Sequence, residues 1–245
     1  INHEINIERA SQEFSLLAQA TFDTSLKIAE SRIIKKYKID NLSYSIVAYG
    51  RFATLSMTAN SDLDLVFIYD SKNSNNNSEQ KIYIELFRQL IRTLSSKTTE
   101  GFMYEVDTKL RPSGKKGPVA CTYDNFKKYH QENSFCWEKL ALKKTRIINE
   151  NNFNAKTSKL LEKLKKINIS DKEIAHEILM MRTNVNQAAG NVAKKRSFKW
   201  FETKYVGGGQ RDIEFLNFFY EDKSDLIEEF EVSKKIILFR KIENL

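Results

Sequence analysis

Apolar positions recur every three or four residues from Phe14 through Ala18, Phe22, Leu26 and Ala29 to Ile33, with polar residues between them. This period predicts one amphipathic helix over residues 8–37. The pattern then changes. Residues 44–50 (YSIVAYG) are a short apolar run closed by glycine, as in a buried strand that runs into a turn. Residues 62–69 (DLDLVFIY) read as a second strand, rich in β-branched and aromatic side chains. The stretch 71–80 (SKNSNNNSEQ) has little apolar surface to bury and is expected to be a disordered loop. Helical spacing returns over 81–97 through Tyr83, Leu86, Phe87, Leu90 and Leu94. Residues 101–110 (GFMYEVDTKL) alternate as a third strand, closed by the turn Pro112-Ser113-Gly114. Beyond residue 122 helical segments follow one another, one of them carrying Ile174, Ile178, Met181 and Val185, and the strong interruption is Val206 with Gly207, Gly208 and Gly209. The fold class expected is α+β: a small mixed sheet with flanking helices over residues 1–121, then a C-terminal helical bundle over 122–245.

Composition fits this picture. Of 245 residues only 8 are glycine and 2 proline, which argues against a turn-rich all-β fold. Lys and Arg outnumber Asp and Glu for a net charge of +8, so the surface attracts polyanions such as ATP, nucleic acid or an acidic protein. The aromatics follow core periodicity and do not interleave with Lys and Arg as a stacking platform would, which argues against nucleic acid. Cys121 and Cys136 form no framework, and His3, His130 and His176 have no metal-ligand spacing. No apolar run reaches the length of a membrane span or signal peptide, so a cytoplasmic location without membrane contact is expected.

The chemistry is concentrated in residues 50–67. On a strand, Asp62 and Asp64 project from the same face while Leu63, Leu65 and Phe67 take the other. Two carboxylates held side by side repel unless they share a cation. Mg²⁺ is the fitting one, because it takes one or two carboxylates and completes its shell with water and phosphate oxygens. The turn at Gly50 would bring backbone N–H groups to the same place, where a triphosphate could dock. Asp107, on the third strand with Met103, Glu105 and Lys109, would supply a third carboxylate if that strand is a neighbour. Three carboxylates can hold two Mg²⁺ ions for an in-line displacement at the α-phosphorus of ATP. Arg111 follows directly and is expected to neutralise phosphate charge.

Several blocks in series resemble the glutamine-synthetase adenylyltransferase/adenylyl-removing enzyme family of the DNA-polymerase-β-like nucleotidyltransferases. Residues 61–67 (SDLDLVF) are similar to its SDLDLxF block, and residues 104–114 (YEVDTKLRPSG) with Gly117, Pro118 and Val119 are similar to its YEVDxRLRPSG…G segment. Trp137 and Glu138, Ala141 and Leu142, and Lys144, Thr145 and Arg146 resemble its WExxALxRAR helix; residues 208–215 (GGQRDIEF) resemble GGIxDIEF. The resemblance implies a nucleotidyltransferase domain, one catalytic half of a two-half enzyme, whose catalytic and metal residues are Asp62, Asp64 and Asp107. Gly50, Arg51, Ser61, Lys109 and Arg111 are the implied nucleotide-binding residues, with Mg²⁺ and ATP as cofactor and substrate. It also implies glutamine synthetase as the protein substrate, with AMP attached to a tyrosine or removed by phosphorolysis. The missing second half and a PII-type signal protein are implied as further partners. One block departs: the family's GKLGGxEL loop reads GRFATLSM over residues 50–57, with Ala53 and Thr54 in place of glycines and Ser56 in place of Glu. Added β-carbons there are expected to strain the loop and weaken nucleotide binding, which keeps open an alternative, a degenerate relative acting as a glutamine-synthetase-binding or regulatory module. Elsewhere Trp137 and Phe135 read as core, Glu138 and Arg146 as one face of a helix, and His130 and His176 as surface residues.

Overall fold

The computed structural model describes residues 6–71 and 77–167, together with Ser170, Glu173, His176 and Met180. Asn6 opens the first helix, its side-chain oxygen accepting from the Glu8 N–H at 3.0 Å. Helix α1 (Ile7–Tyr37) runs to Lys38, whose φ of 52° reverses the chain. The face predicted by the period is the buried one: Ala18, Phe22, Leu26, Ala29 and Ile33, extended by Ser11, Ser15 and Ser25.

Strand β1 (Tyr44–Ala48) pairs antiparallel with β2 (Leu63–Tyr69), Ile46 opposite Phe67. Between them lies the short helical turn α2 (Gly50–Ala53). Along the other edge of β2, β3 (Val106–Asp107) and β4 (Ala120–Thr122) both run parallel to it, one after the other. On the far side of β1, β5 (Arg146–Ile147) pairs antiparallel, with Arg146 opposite Ala48. Every residue of β1 is buried, as befits a strand covered on both faces.

Alternation sorts the core into two layers. On one face Tyr44, Ile46, Leu63, Leu65, Phe67 and Tyr69 pack against α1 and α3 (Asn77–Ser95); Phe67 stacks on Phe87 at 4.4 Å and Tyr69 on Tyr83 at 4.5 Å. On the other face Val47, Tyr49, Val66 and Ile68 meet Phe126 of α4 (Tyr123–Glu132), Leu142 of α5 (Cys136–Lys143), and Leu160, Leu161 and Leu164 of α6 (Asn154–Lys165). The first compact unit runs Ile1–Ile167. A two-faced apolar sheet needs a second helical layer, and α4–α6 supply it.

Local expectations need correction at several points. Residues 77–80 begin α3 rather than belonging to a loop, and 72–76 lie outside the described residues. The third strand is two residues long; before it, single bonds from Tyr104 N to Leu94 O and from Leu63 N to Glu105 O carry the chain across, and Phe102 and Met103 are exposed. Phe135 is exposed and Trp137 half-buried. His130 is buried at 1% exposure, while His176 is exposed as expected. Glu138 and Arg146 do not share a helix, because α5 ends at Lys143 and Arg146 is on β5. The helix through Ile174, Ile178, Met181 and Val185, the rest of the C-terminal bundle, and the glycines at 207–209 lie outside the described residues. Among the described residues no helix is long and apolar enough to cross a membrane.

Candidate functional site

Asp64 lies on the face of β2 that also carries Val66 and Ile68, near the start of the strand and half-buried. The parallel register sets Asp64 directly beside Asp107 on β3. Asp62, exposed, precedes β2 by one residue. The carboxylates of Asp62, Asp64 and Asp107 come together, each offering an oxygen within 4.8 Å of the others. Three like charges at that spacing destabilise one another unless a cation lies between them. An all-oxygen donor set of this kind suits a hard divalent ion such as Mg²⁺.

Lys109 offsets part of that charge. Its backbone N–H donates to Asp107 Oδ1 at 2.8 Å and its ammonium pairs with Oδ2. The bond to Asp107 raises the Lys109 pKa, and the charges of Asp107, Asp62 and Asp64 raise it further. The ammonium is therefore held by a carboxylate of the cluster itself.

The turn between β1 and β2 closes over Asp64. Tyr49 N–H donates to Asp64 O at 2.9 Å, and Gly50 follows with φ of +57°. A Cβ on Gly50 would stand 2.7 Å from Asp64 Oδ2, so a larger residue would have to displace that carboxylate as well as bear a left-handed φ, and glycine does neither. Within the turn Thr54 N–H donates to Gly50 O at 3.2 Å and Ser56 N–H to Arg51 O at 3.0 Å. Arg51 Nη1 donates to Thr58 Oγ1 at 3.2 Å, and Thr58 N–H donates to Ser61 Oγ at 2.9 Å, so Arg51 and Ser61 brace the returning chain. Thr54 has an ordinary φ of −91°, and Ala53 is helical. Among the non-glycine residues of the turn, the left-handed one is Leu55, at φ 54°. The backbone thus imposes no glycine at 53 or 54, and the strain expected there falls one residue later.

Arg111, expected to neutralise phosphate charge, is held within its own loop. It is buried, and its guanidinium turns into its own loop: Nη1 donates to Thr108 O at 2.6 Å and Thr108 Oγ1 at 2.7 Å, Nε to Pro118 O at 2.8 Å, and Nη2 to Gly117 O at 3.0 Å. The loop after Asp107 is wrapped around this side chain. Gly117 lets it close, since a Cβ there would lie 2.6 Å from Pro112 O. A buried arginine held by carbonyl oxygens has no one-dimensional signature, so these loop contacts were not legible in the sequence.

Glu138 is buried and accepts from Tyr129 Oη at 2.9 Å and from Phe135 N–H at 2.9 Å, so it caps α5. Arg146 and Gln19 meet near the site with no sequence signal for their contact. Arg146 donates from Nη2 to Phe52 O and from Nη1 to Gln19 Oε1, each at 3.1 Å. Both contacts span about a hundred residues of chain or more, beyond the reach of any local pattern.

The family described as glutamate-ammonia ligase adenylyltransferase matches residues 1–161. Bifunctional glutamine synthetase adenylyltransferase/adenylyl-removing enzymes are among the similar curated proteins. That of Brucella melitensis biotype 1 is 33% identical over 230 residues, which cover 86% of this chain and 22% of the relative. That of Rhodopseudomonas palustris is 29% identical over 221 residues, again 86% and 22%. That of Bartonella quintana is 29% identical over 225 residues, 88% of this chain and 22% of the relative. The matched region is thus about a fifth of these relatives' length.

Proposed function

The chain belongs to the glutamate-ammonia ligase adenylyltransferase family, and from that membership we propose that it is a Mg²⁺-dependent nucleotidyltransferase unit. It moves AMP from ATP to a tyrosine of glutamine synthetase, or removes it by phosphorolysis, in the cytoplasm and as one half of a longer enzyme under PII-type control. The observation that supports this best is the pairing of Asp64 with Asp107 in the parallel register, with Asp62 completing a cluster whose oxygens lie within 4.8 Å.

Asp62, Asp64 and Asp107 would hold the metal, which when bound offsets triphosphate charge and acidifies an attacking hydroxyl. Gly50 keeps the backbone beside Asp64 clear, so that phosphate oxygens can approach. The Lys109 ammonium, paired with Asp107, would pass to a phosphate oxygen once metal and nucleotide are bound. The tyrosine oxygen bonds to the α-phosphorus as the bond to the bridging oxygen breaks. Pyrophosphate leaves with that electron pair, and the phenolic proton passes to a carboxylate of the cluster. Because Ala53 and Thr54 occupy a turn that does not require glycine, the altered loop favours a working enzyme over a degenerate module.

The test is transfer of label from [α-³²P]ATP to glutamine synthetase. Asp64→Asn is expected to lower transfer by roughly a hundredfold or more while leaving the melting temperature unchanged or higher, since one of three crowded charges is gone. Transfer retained by Asp64→Asn, or absent from the unmodified chain, overturns the reading.

A further inference from the structure

Arg146 stands at the opposite side of the turn from the carboxylates. Its backbone sits on β5 opposite Ala48, two residues before Gly50. From there its guanidinium crosses to the turn, donating to Phe52 O at 3.1 Å and lying 5.5 Å from the centre of the Phe52 ring. The ring is fully buried and packs edge-on against Phe22 of α1 at 6.2 Å. Arg146 therefore holds both the carbonyl and the ring of the residue at the centre of α2.

The guanidinium is itself oriented. Nη1 donates to Gln19 Oε1 at 3.1 Å. The Gln19 amide is fixed at its other end, Nε2 donating to Asp23 Oδ1 at 2.9 Å and to Ile148 O at 3.0 Å. Asp23 thus acts on Arg146 through an amide, and burial lowers the Arg146 pKa while the Asp23 charge raises it. Ser15, one helical turn before Gln19, receives Met57 N–H at 3.2 Å where the turn ends. Helix α1 and β5 together grip the turn from beneath, at Phe52 and at Met57, and its upper surface meets Asp64 through Gly50.

We propose that Arg146, oriented by Gln19, is a positioning residue for the Gly50 turn, holding its backbone in the form that accepts the triphosphate of a nucleotide beside Asp64. This rests on the nucleotidyltransferase reading for its ligand, and on the contacts alone for the turn. The acceptor on Phe52 and the aromatic face both need a planar, multiply donating cation; lysine can supply the charge and one bond but not the Gln19–Phe52 bridge. Loosening the turn acts on nucleotide binding more than on the reacting atoms, so KM for ATP moves and kcat follows weakly.

The experiment uses the full chain as Arg146→Met, Arg146→Lys and Gln19→Leu, with Thr157→Val as a control that loses the Ser45 bond in the core far from the turn. Amide hydrogen exchange is read at Thr54 and Ser56, whose N–H groups close the turn, alongside amides of β1 and β2. Affinity for ATP with Mg²⁺ is read by calorimetry. Arg146→Met is expected to speed exchange at Thr54 and Ser56 at least about tenfold beyond the strand amides and to weaken ATP about tenfold. Gln19→Leu is expected to do the same to a smaller extent, Arg146→Lys to recover part, and Thr157→Val to leave the turn at the pace of the strands. If the turn amides of Arg146→Met or Gln19→Leu exchange no faster than the strands do, the inference is overturned and Arg146 only stabilises the sheet edge. If the turn loosens as expected but the unmodified chain binds no ATP, the positioning role stands and the nucleotide reading falls.

Discussion

Replacing Arg111 with methionine removes a guanidinium that donates four bonds, three to carbonyl oxygens and one to the Thr108 hydroxyl. Hydrogen bonds from a charged donor are worth roughly 1.5–3 kcal/mol each when cut singly, but four around one side chain share a single desolvation and do not add. Water can reach part of the freed loop, so the expected loss is about 3–5 kcal/mol, a large part of the ~5–15 kcal/mol that holds an ordinary domain folded. Arg111→Lys keeps the charge and one or two of the bonds, and should still lose about 2 kcal/mol. Urea unfolding of both variants gives the values. The loop follows Asp107 directly, so metal affinity should fall with stability rather than in its place. A variant that unfolds like the unmodified chain yet binds ATP poorly would refute this reasoning and return Arg111 to the phosphate role first read from the sequence.

Gly50→Ala puts a left-handed φ of +57° on alanine and a Cβ 2.7 Å from Asp64 Oδ2, so activity should fall at least about tenfold with roughly 1–2 kcal/mol lost in a thermal melt. Returning Ala53 and Thr54 to glycine should not tighten ATP binding and should lower stability by about 1 kcal/mol, the added freedom of two glycines in an unstrained turn; tighter binding in the titration would show that the side chains, not the backbone, obstruct the phosphates. Burial pushes the His130 imidazole from 6.5 down to about 4, with the Lys139 charge adding to the effect. Because the folded pKa lies below the unfolded one, the unfolded chain binds more protons between those values: His130 stability is complete above about pH 6.5 and lost as pH falls toward 4, by up to roughly 3 kcal/mol. His130→Leu should flatten that part of the pH dependence of unfolding, and an unchanged slope would assign it to other groups.

The parts of the fold legible in the sequence are those whose period has room to repeat. Helix α1 and strands β1 and β2 stand within a residue or two of their expected limits, because five buried apolar residues along one helix face, or seven residues in a strand, leave a clear pattern. Strand β3 shrank because only Val106 and Asp107 reach the edge of β2 before the chain turns at Thr108. Strand β5 was hidden for the same reason: it is two residues long and follows a helix whose sequence pattern runs on through Arg146. The carboxylate cluster was legible because strand alternation predicts Asp62 and Asp64 on one face, close to where Asp62 stands just before β2, and a parallel neighbour needs only a register to add Asp107. What surrounds the cluster was not. Arg111 and Arg146 make their contacts with carbonyl oxygens, which every residue has, so no residue type marks the partner. His130 looked exposed among charged neighbours, yet its helix turns that one position, with Phe126, toward the core.

The central claim is that Asp62, Asp64 and Asp107 jointly hold a divalent ion beside the Gly50 turn. Crystals grown with Mn²⁺ and a non-hydrolysable ATP analogue test it directly, through the anomalous signal of manganese. The account predicts a peak about 2.0–2.3 Å from carboxylate oxygens of all three residues, with phosphate oxygens completing the shell and the Lys109 ammonium moved from Asp107 to a phosphate. A peak that engages none of the three, or density for the nucleotide elsewhere with the Lys109–Asp107 pair intact, would contradict it.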